Sequence, residues 1–524
     1  MSLVTTPALG ATPSNSSTSN NPFDPAFARF ANDVLKQWNV PGISLAVVDG
    51  GQIYSQGYGF ATLPDTAVTP DTLFYAGSTT KAFTAATLAH LIDSNNYTAL
   101  SKRWSTPISS IIHDDFVLQD AWSTAHITLE DAAVHRTGMP RHDYSWAKQV
   151  QGRSATPRDV VRNFRNLPQN AEPRTRFQYC NLMYVTLSYV IEFLTEKPLQ
   201  DAMRDVIWGP LQMDATFSSL EEAKKASQHL ASGYRWDEDG HKFIEAAFEE
   251  TRPFSGAGFV ISNARDYAKW VKCLLQEEAP FSKATHEDIR TPRIIDSEDP
   301  NTVGDISLYG LAWDRTVAHG QVVINHSGTE TAYGSQVFWL PDIKFGVVAF
   351  ANAADTANSA AQVLIWELIE NKLQVPSADR YNINDRLKPK PDDGSGSDPE
   401  DPDDELFPDR PKVPLPSPVK MSDLAGFYHH AGYGTIYLTE QQQGNQTILS
   451  ADRGEMVEQH GLRLHHVSGN FWNIHVVDST NSTEAYWAGE FKIGVDGKPT
   501  ALEVRFSPPG TEADEAPVIY SSIE

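Results

Sequence analysis

From Lys388 to Pro418 the chain runs KPKPDDGSGSDPEDPDDELFPDRPKVPLPSP, and so dense a mixture of proline, glycine, serine and acid cannot bury a core. It reads as an extended, acidic, Pro-rich linker and marks the clearest boundary in the chain. A length of 524 residues, too great for one ordinary core, agrees with that division. Residues 22–387 mix helical and strand patterning, whereas residues 419–524 show only short alternating segments between Gly, Asn and Asp turns. The Ser/Thr/Asn/Pro-rich residues 1–21 are expected to be disordered.

In the larger unit, Asp24-Pro25 reads as an N-cap and first helical position, with Phe27, Phe30, Ala31, Val34, Leu35 and Trp38 on one helical face. ISLAVVD, the turn Asp49-Gly50-Gly51 and QIYSQGYGF then form a hairpin pattern. Helical patterning dominates from about Leu73 to Lys283. Strands return from Val322 to Asn352, and the helix ANSAAQVLIWELIENKL follows. Strands supplied by both ends of a segment, with helices between, describe an α/β (α+β) sandwich of an antiparallel sheet with helices plus a helical region. Beyond the linker, GTIYLTE, QTILSA, LRLHHVSG, FWNIHVVD, EAYWAGEFKI and ALEVRFS describe a small all-β barrel.

A formal charge of −25 repels phosphate backbones and anionic lipid, so neither nucleic acid nor a membrane is an expected partner. Two cysteines, Cys180 and Cys273, neither staple a scaffold nor form a CxxC pair. The first residues carry no basic segment followed by an apolar one, and no run is long enough to span a bilayer, so a soluble, cytoplasmic protein is expected. Sequons at Asn15, Asn96, Asn325, Asn445 and Asn481 carry no weight in that setting.

The chemistry-bearing segment is FYAGSTTKAF, where Ser78 and Lys81 stand three apart at the opening of a helix and so share a face. A serine hydroxyl needs a base within reach, and a lysine serves if burial lowers its pKa. Two further Ser-x-x-Lys instances, Ser145…Lys148 and Ser417…Lys420, lack an apolar helix after them. Tyr179-Cys180-Asn181 precedes the apolar LMYVTLSYVIEFLT. Beside a lysine cation a phenolate is stabilised, so Tyr179 is a candidate general base, with Asn181 orienting Lys81 or a substrate carbonyl. His326-Ser327-Gly328-Thr329 ends a strand, where glycine admits a substrate to the strand edge and the next N–H can meet an oxyanion. A second such triplet, His430-Ala431-Gly432, lies in the β unit.

Ser-x-x-Lys, Tyr-x-Asn and His-x-Gly in this order resemble the serine β-lactamase/penicillin-binding superfamily, in its branch of class C β-lactamases, DD-peptidases, D-aminopeptidases and esterases. ITLEDAAVHRTGMP, IWGPLQMDATFSS, SGAGFVISNARDYAKW, YGLAW and FWLPDIKFGVVAFAN are similar to blocks of that branch, so the resemblance spans roughly Pro25 to Leu373. The tail from Met421, with DLAGFYHHAGYGTIYL, resembles the lipocalin-like barrel appended to some members. The resemblance implies a serine hydrolase or acyltransferase of the esterase, D-amino-acid peptidase/amidase or transesterase type: Ser78 attacks an ester, lactone or amide of a small molecule and forms an acyl-enzyme, which water or another acceptor resolves. Lys81 and Tyr179 would move the proton, the amides of Ser78 and Thr329 would hold the oxyanion, and Asn181, His326 and Gly328 would bind substrate. It calls for neither a metal nor another cofactor. His326 stands where lactamases carry lysine, and imidazole has little charge at neutral pH, so the grip on a β-lactam carboxylate is expected to be weak. A true β-lactamase, or a scaffold that kept the fold and lost catalysis, are the alternatives.

Other polar groups are weaker candidates. His135, His142 and Asp143 match no zinc spacing. His429-His430 and His465-His466 sit in alternating strands, where neighbours face opposite ways. Asp401 to Glu405 reads as solvated linker rather than a calcium site.

Overall fold

The computed structural model describes residues 21–523 apart from 239, 251, 299–302, 389–400, 445, 479–482 and 507–516. Almost all of the expected disordered N-terminus and the first part of the expected linker lie outside those residues. Asp24 accepts the amide protons of Ala26 and Phe27, both at 2.8 Å, and so starts α1 (Pro25–Gln37) at the anticipated cap. β1 (Gly42–Asp49) and β2 (Gln52–Thr62) pair around Gly50-Gly51, and β3 (Thr66–Ala67) follows β2 at the sheet edge. The helical middle contains α2 (Thr80–Ser94), α3 (Asn181–Thr195) and α4 (Ala264–Gln276).

Then come β4 (Ile294–Ser297), β5 (Ser307–Tyr309), β6 (Asp314–Ala318), β7 (Gln321–Glu330), β8 (Tyr333–Leu340), β9 (Phe345–Ala351) and α5 (Ala357–Lys372). With β1, β2 and β3 they form an antiparallel nine-stranded sheet in the order β4-β5-β6-β7-β8-β9-β1-β2-β3, so the sheet's first strand in chain order is seated beside its last. Sequence reading misses β4, β5 and β6, because IIDS, SLY and DRTVA are too short to show an alternation. It also misses the hairpin of Tyr234–Asp237 with Lys242–Glu245.

Alternation in β1 assigns the layers. Ile43, Leu45 and Val47 pack with α1 and α5, while Ala46 and Val48 face the core that holds α2, α3 and α4. α2 is buried on nearly every side, including Thr80, Lys81, Thr84 and Thr87, which makes it the central helix of the unit.

The C-terminal unit is a closed antiparallel barrel of eight strands, from Gly426–His430 to Val518–Ile523, with the first pairing to the last. Closure leaves no open strand edge. From Asp401 onward the stretch expected to be an extended linker is built onto this barrel. Asp401 caps a short helix, Pro402–Leu406, and Arg410 reaches Asp401, Asp403 and Asp404 at 2.8, 3.0 and 2.8 Å. Asn473 donates to Asp403 at 2.7 Å, and the Leu415 amide donates to Ser468 at 3.0 Å. One guanidinium gathers carboxylates that composition alone leaves to solvent.

The barrel docks against the α/β unit by main-chain contacts: the Val457 amide donates to the Trp146 carbonyl at 2.7 Å and Lys148 N to Glu455 O at 2.9 Å. Arg235 and Asp478 add a 2.8 Å ion pair. No helix among the described residues is long and apolar enough to cross a membrane.

Candidate active site

Ser78 sits in a single 3-10 turn, Gly77–Thr79, that feeds α2, so its hydroxyl and the Lys81 amine emerge on one side of the helix start. Lys81 Nζ donates to Ser78 Oγ at 2.9 Å and to the Ala257 carbonyl at 2.8 Å. Ser78 is near enough to the Tyr179 phenol to offset part of its burial, and Lys81 Nζ lies 4.9 Å from the centre of the Tyr179 ring. Serine, lysine and tyrosine are thus brought into one cluster.

The protonation of this trio differs from the simplest expectation. Burial, then the Arg141 charge, pull Lys81 well below the ordinary lysine range, although Asp143 opposes them. Burial pushes the Tyr179 phenol above its usual range, and its bond to Ser78 and the Arg141 charge recover only part of the shift. Both effects favour the neutral pair, an amine and a phenol, over the ammonium and phenolate that a lysine cation beside the ring would favour. Desolvation is the largest cause for each group, with Lys81 fully buried and Tyr179 half-buried in the cleft wall.

The backbone geometry explains the glycines. A side chain on Gly328 would place its Cβ 2.1 Å from the Ala76 carbonyl and 3.0 Å from Ser78 N. Gly77, at φ +51°, would place one 2.8 Å from Thr329 N. The Ser78 turn and the end of β7 thus touch backbone to backbone, which puts the amides of Ser78 and Thr329 on the same wall. Asn358 anchors that wall by donating to the Gly328 carbonyl at 3.1 Å and to Thr329 Oγ1 at 2.9 Å.

Two expected substrate binders have other partners. Asn181 donates to Asp143 Oδ1 at 3.1 Å, and the Ala257 carbonyl rather than Asn181 anchors Lys81. Both ring nitrogens of His326 are engaged. Nδ1 donates to the Ser327 carbonyl at 2.6 Å, so Nε2 must be the acceptor for the Tyr309 hydroxyl at 3.1 Å. Burial and the Lys81 charge lower its pKa to about 4, so the ring is neutral at physiological pH.

Sequence reasoning overlooks Arg141, Tyr309 and the Ala257 carbonyl. Arg141 lies 5.1 Å from the Tyr179 ring centre and pairs with Asp143 at 2.7 Å. Nothing in the local pattern marks a carbonyl 176 residues from its lysine. His135 lies tilted against Tyr179 with ring centres 4.2 Å apart and accepts the Cys180 amide proton at Nδ1, which orients the tyrosine loop. His142 bonds Pro168 and Tyr433, so it is held by protein partners. Burial pushes the Cys180 thiol up to about 12, leaving it to pack.

The trio opens into a cleft of about 1870 Å³ walled by both units. Barrel residues Asp452, Glu458, His460 and Asp478 line it together with Glu249, Glu330, Asp296 and Asp314. Burial, then Glu458 and Glu249, raise the Glu330 carboxyl far above its usual range. Burial and Asp296 do the same to Asp314. Glu330 and Asp314 thus favour their protonated forms.

The description "Beta-lactamase" matches residues 27–369, and "Domain of unknown function (DUF3471)" matches residues 410–516. Proteins called unguisins hydrolase are similar along nearly the whole chain. The one from Aspergillus campestris is 37% identical over 94% of this chain and 91% of its own length, and that from Aspergillus violaceofuscus is 34% identical over 96% and 91%. Among solved structures, an octameric penicillin-binding protein homologue from Pyrococcus abyssi superposes over 95% of this chain and 99% of its own at TM-score 0.60 and 19% identity. D-amino acid amidase from Ochrobactrum anthropi covers 66% of this chain and 98% of its own at TM-score 0.55 and 22% identity, a likeness of fold. The match over the whole α/β unit and the two relatives above one-third identity establish that this chain belongs to the beta-lactamase family, as a serine hydrolase with a closed eight-stranded barrel at its C-terminal side.

Proposed function

We propose that the protein cleaves a bulky carboxylic amide or ester, with unguisins as the first substrates to test, through an acyl-enzyme on Ser78. The observation that carries this reading is a desolvated amine hydrogen-bonded to the Ser78 hydroxyl and lying 4.9 Å from the Tyr179 ring centre. Neutral Lys81 takes the Ser78 proton as Oγ attacks the carbonyl, and the amides of Ser78 and Thr329 receive the oxyanion. As the carbon–nitrogen or carbon–oxygen bond breaks, Tyr179 gives its proton to the leaving group and is reprotonated from the Lys81 ammonium. Water then attacks the acyl-enzyme, the same groups run in reverse, and Ser78 is restored.

The cleft supports a large substrate, since its volume exceeds the roughly 300–1,000 Å³ usual for drug-sized ligands. The names of the two fungal relatives point the same way. The state of His326 disfavours a β-lactam: the ring is neutral with both nitrogens engaged, so it offers no cation to a β-lactam carboxylate.

Intact-protein mass spectrometry after mixing with a fluorophosphonate, unguisins, simple esters, D-amino-acid amides and a cephalosporin tests this. The expected result is a fluorophosphonate adduct on Ser78, with turnover of an unguisin or a related amide exceeding that of the cephalosporin. A folded protein that leaves Ser78 unlabelled would support the non-catalytic scaffold instead, and preferential turnover of the cephalosporin would restore the lactamase reading.

A further inference from the structure

We propose that the barrel is a working part of the Ser78 site, with His142 and Tyr144 as positioning residues whose seats in the barrel hold Arg141 and Asp143 against Tyr179 and Asn181. The proposal rests on the serine-hydrolase reading of Ser78. Its basis is a loop of the α/β unit whose alternate side chains are gripped by different bodies.

The odd-numbered residues face the reacting groups. Arg141 lies over the Tyr179 ring at 5.1 Å, and Asp143 pairs with Arg141 at 2.7 Å while accepting from Asn181 at 3.1 Å. The even-numbered residues face the barrel. His142 donates from Nε2 to the Pro168 carbonyl at 2.8 Å and accepts the Tyr433 hydroxyl proton at Nδ1 at 2.5 Å. Its φ of +48° is a left-handed conformation unusual for a side-chain-bearing residue, held here by partners on both sides. The Tyr144 ring enters the barrel mouth, with ring centres of Trp487, His460 and Phe506 at 4.6, 4.9 and 5.7 Å. The space left there, lined by Tyr144 itself, is about 10 Å³. That is the lower limit for one water, so Tyr144 closes the mouth as a stopper. Just beyond it, the Trp146 carbonyl and the Lys148 amide are bonded to Val457 and Glu455 of the barrel.

Covalent continuity does the rest. Over four residues the chain cannot shift its barrel-facing side chains without shifting the cleft-facing ones. A misplacement of about 1 Å in a positioning group costs on the order of 10²-fold in rate.

The test uses the full chain and two small probes, p-nitrophenyl acetate for turnover and a fluorophosphonate for the labelling rate of Ser78, neither large enough to need the barrel rim. Tyr144→Ala should lower kcat about ten- to hundred-fold with KM within about two-fold of wild type, the split expected when positioning rather than binding is lost. Tyr144→Phe, which keeps the ring, should keep the wild-type rate. Trp487→Leu, a change wholly inside the barrel, should lower kcat about five-fold or more by loosening the same seat. Tyr144→Ala and Trp487→Leu proteins with native near-ultraviolet circular dichroism and wild-type kcat would overturn the proposal. Should Tyr144→Ala fail to fold, Trp487→Leu decides by the same criterion. A wild-type protein inert to the fluorophosphonate removes the reading of Ser78 and this proposal together. A labelled wild type with unaffected variants removes this proposal alone.

Discussion

The cleft above Ser78 and the interior of the barrel are neighbouring hollows that the chain treats in opposite ways. The cleft keeps about 1870 Å³ open and encloses groups displaced from their ordinary protonation: Lys81, Tyr179, Glu330 and Asp314. The barrel is filled by Tyr428, Trp472, Trp487, Phe491 and Tyr520, stopped by Tyr144, and left with about 10 Å³ at its mouth. Its buried Arg453 is satisfied by Glu455 and the Tyr433 carbonyl, both at 2.6 Å. Space combined with stressed protonation marks a place for chemistry, whereas packed aromatic area marks a rigid support. Among the described residues the barrel meets its neighbour by direct contact, through Tyr144, Trp146 and Lys148.

The largest expected effect tests whether the cleft is where bonds break. Ser78→Ala should lower kcat by at least about 10³-fold and abolish fluorophosphonate labelling while leaving the melting temperature close to wild type. Undiminished turnover would move the chemistry elsewhere.

Next in size are the two proton carriers. Lys81→Met and Tyr179→Phe should each cost about 10²–10⁴-fold in kcat/KM on an amide substrate. Because burial holds Lys81 below its ordinary value of 10.5, the amine is available at lower pH than a solvated lysine allows. The sign follows: kcat/KM rises as pH climbs through the lowered Lys81 pKa, and that limb disappears in Lys81→Met. A limb that persists in the variant would assign the titration to another group.

A smaller effect probes the backbone contact between the Ser78 turn and β7. In Gly328→Ala the new methyl meets the Ala76 carbonyl at 2.1 Å, inside van der Waals contact and against main chain that cannot swing away. Overpacking of this kind costs about 1–3 kcal/mol, and the displaced Thr329 amide should cost rate as well. Thermal melts together with ester turnover measure both. A variant as stable and active as wild type would show that the wall is soft.

The smallest effect concerns the ion pair that joins the barrel to the α/β unit beside the cleft. Asp478→Asn removes the Arg235 ion pair, a partly exposed contact worth about 0.2–1 kcal/mol. Denaturant melts at low and high salt should converge for the two proteins as screening rises.

Much of this organisation was legible beforehand wherever a local rule operates. Asp24-Pro25 caps α1 because a carboxylate two or three residues from free amides has few other partners. The β1–β2 hairpin turns at Gly50 because the turn needs a positive φ. Ser78 and Lys81 meet because three residues along a helix start bring them to one face. Where the cause is non-local, the reading lacked it. The strands β4, β5 and β6 are too short to signal themselves and exist by pairing with neighbours. The Asp401–Pro418 stretch is anchored by Arg410 and by barrel residues tens of positions away.

The amino-acid sequence by itself determined the division into a mixed α/β unit and an all-β unit and the pairing of Ser78 with Lys81, because periodicity, caps and motif spacing are properties of adjacent residues; that Tyr179 joins them was implied by the resemblance to the β-lactamase superfamily. Only the tertiary structure decided that the lysine and phenol are both driven toward their neutral forms, that His326 has no proton to offer a substrate, and that the barrel reaches the site through Tyr144. Those outcomes depend on burial and on partners distant along the chain, and desolvation has no value until the fold has set how much water remains.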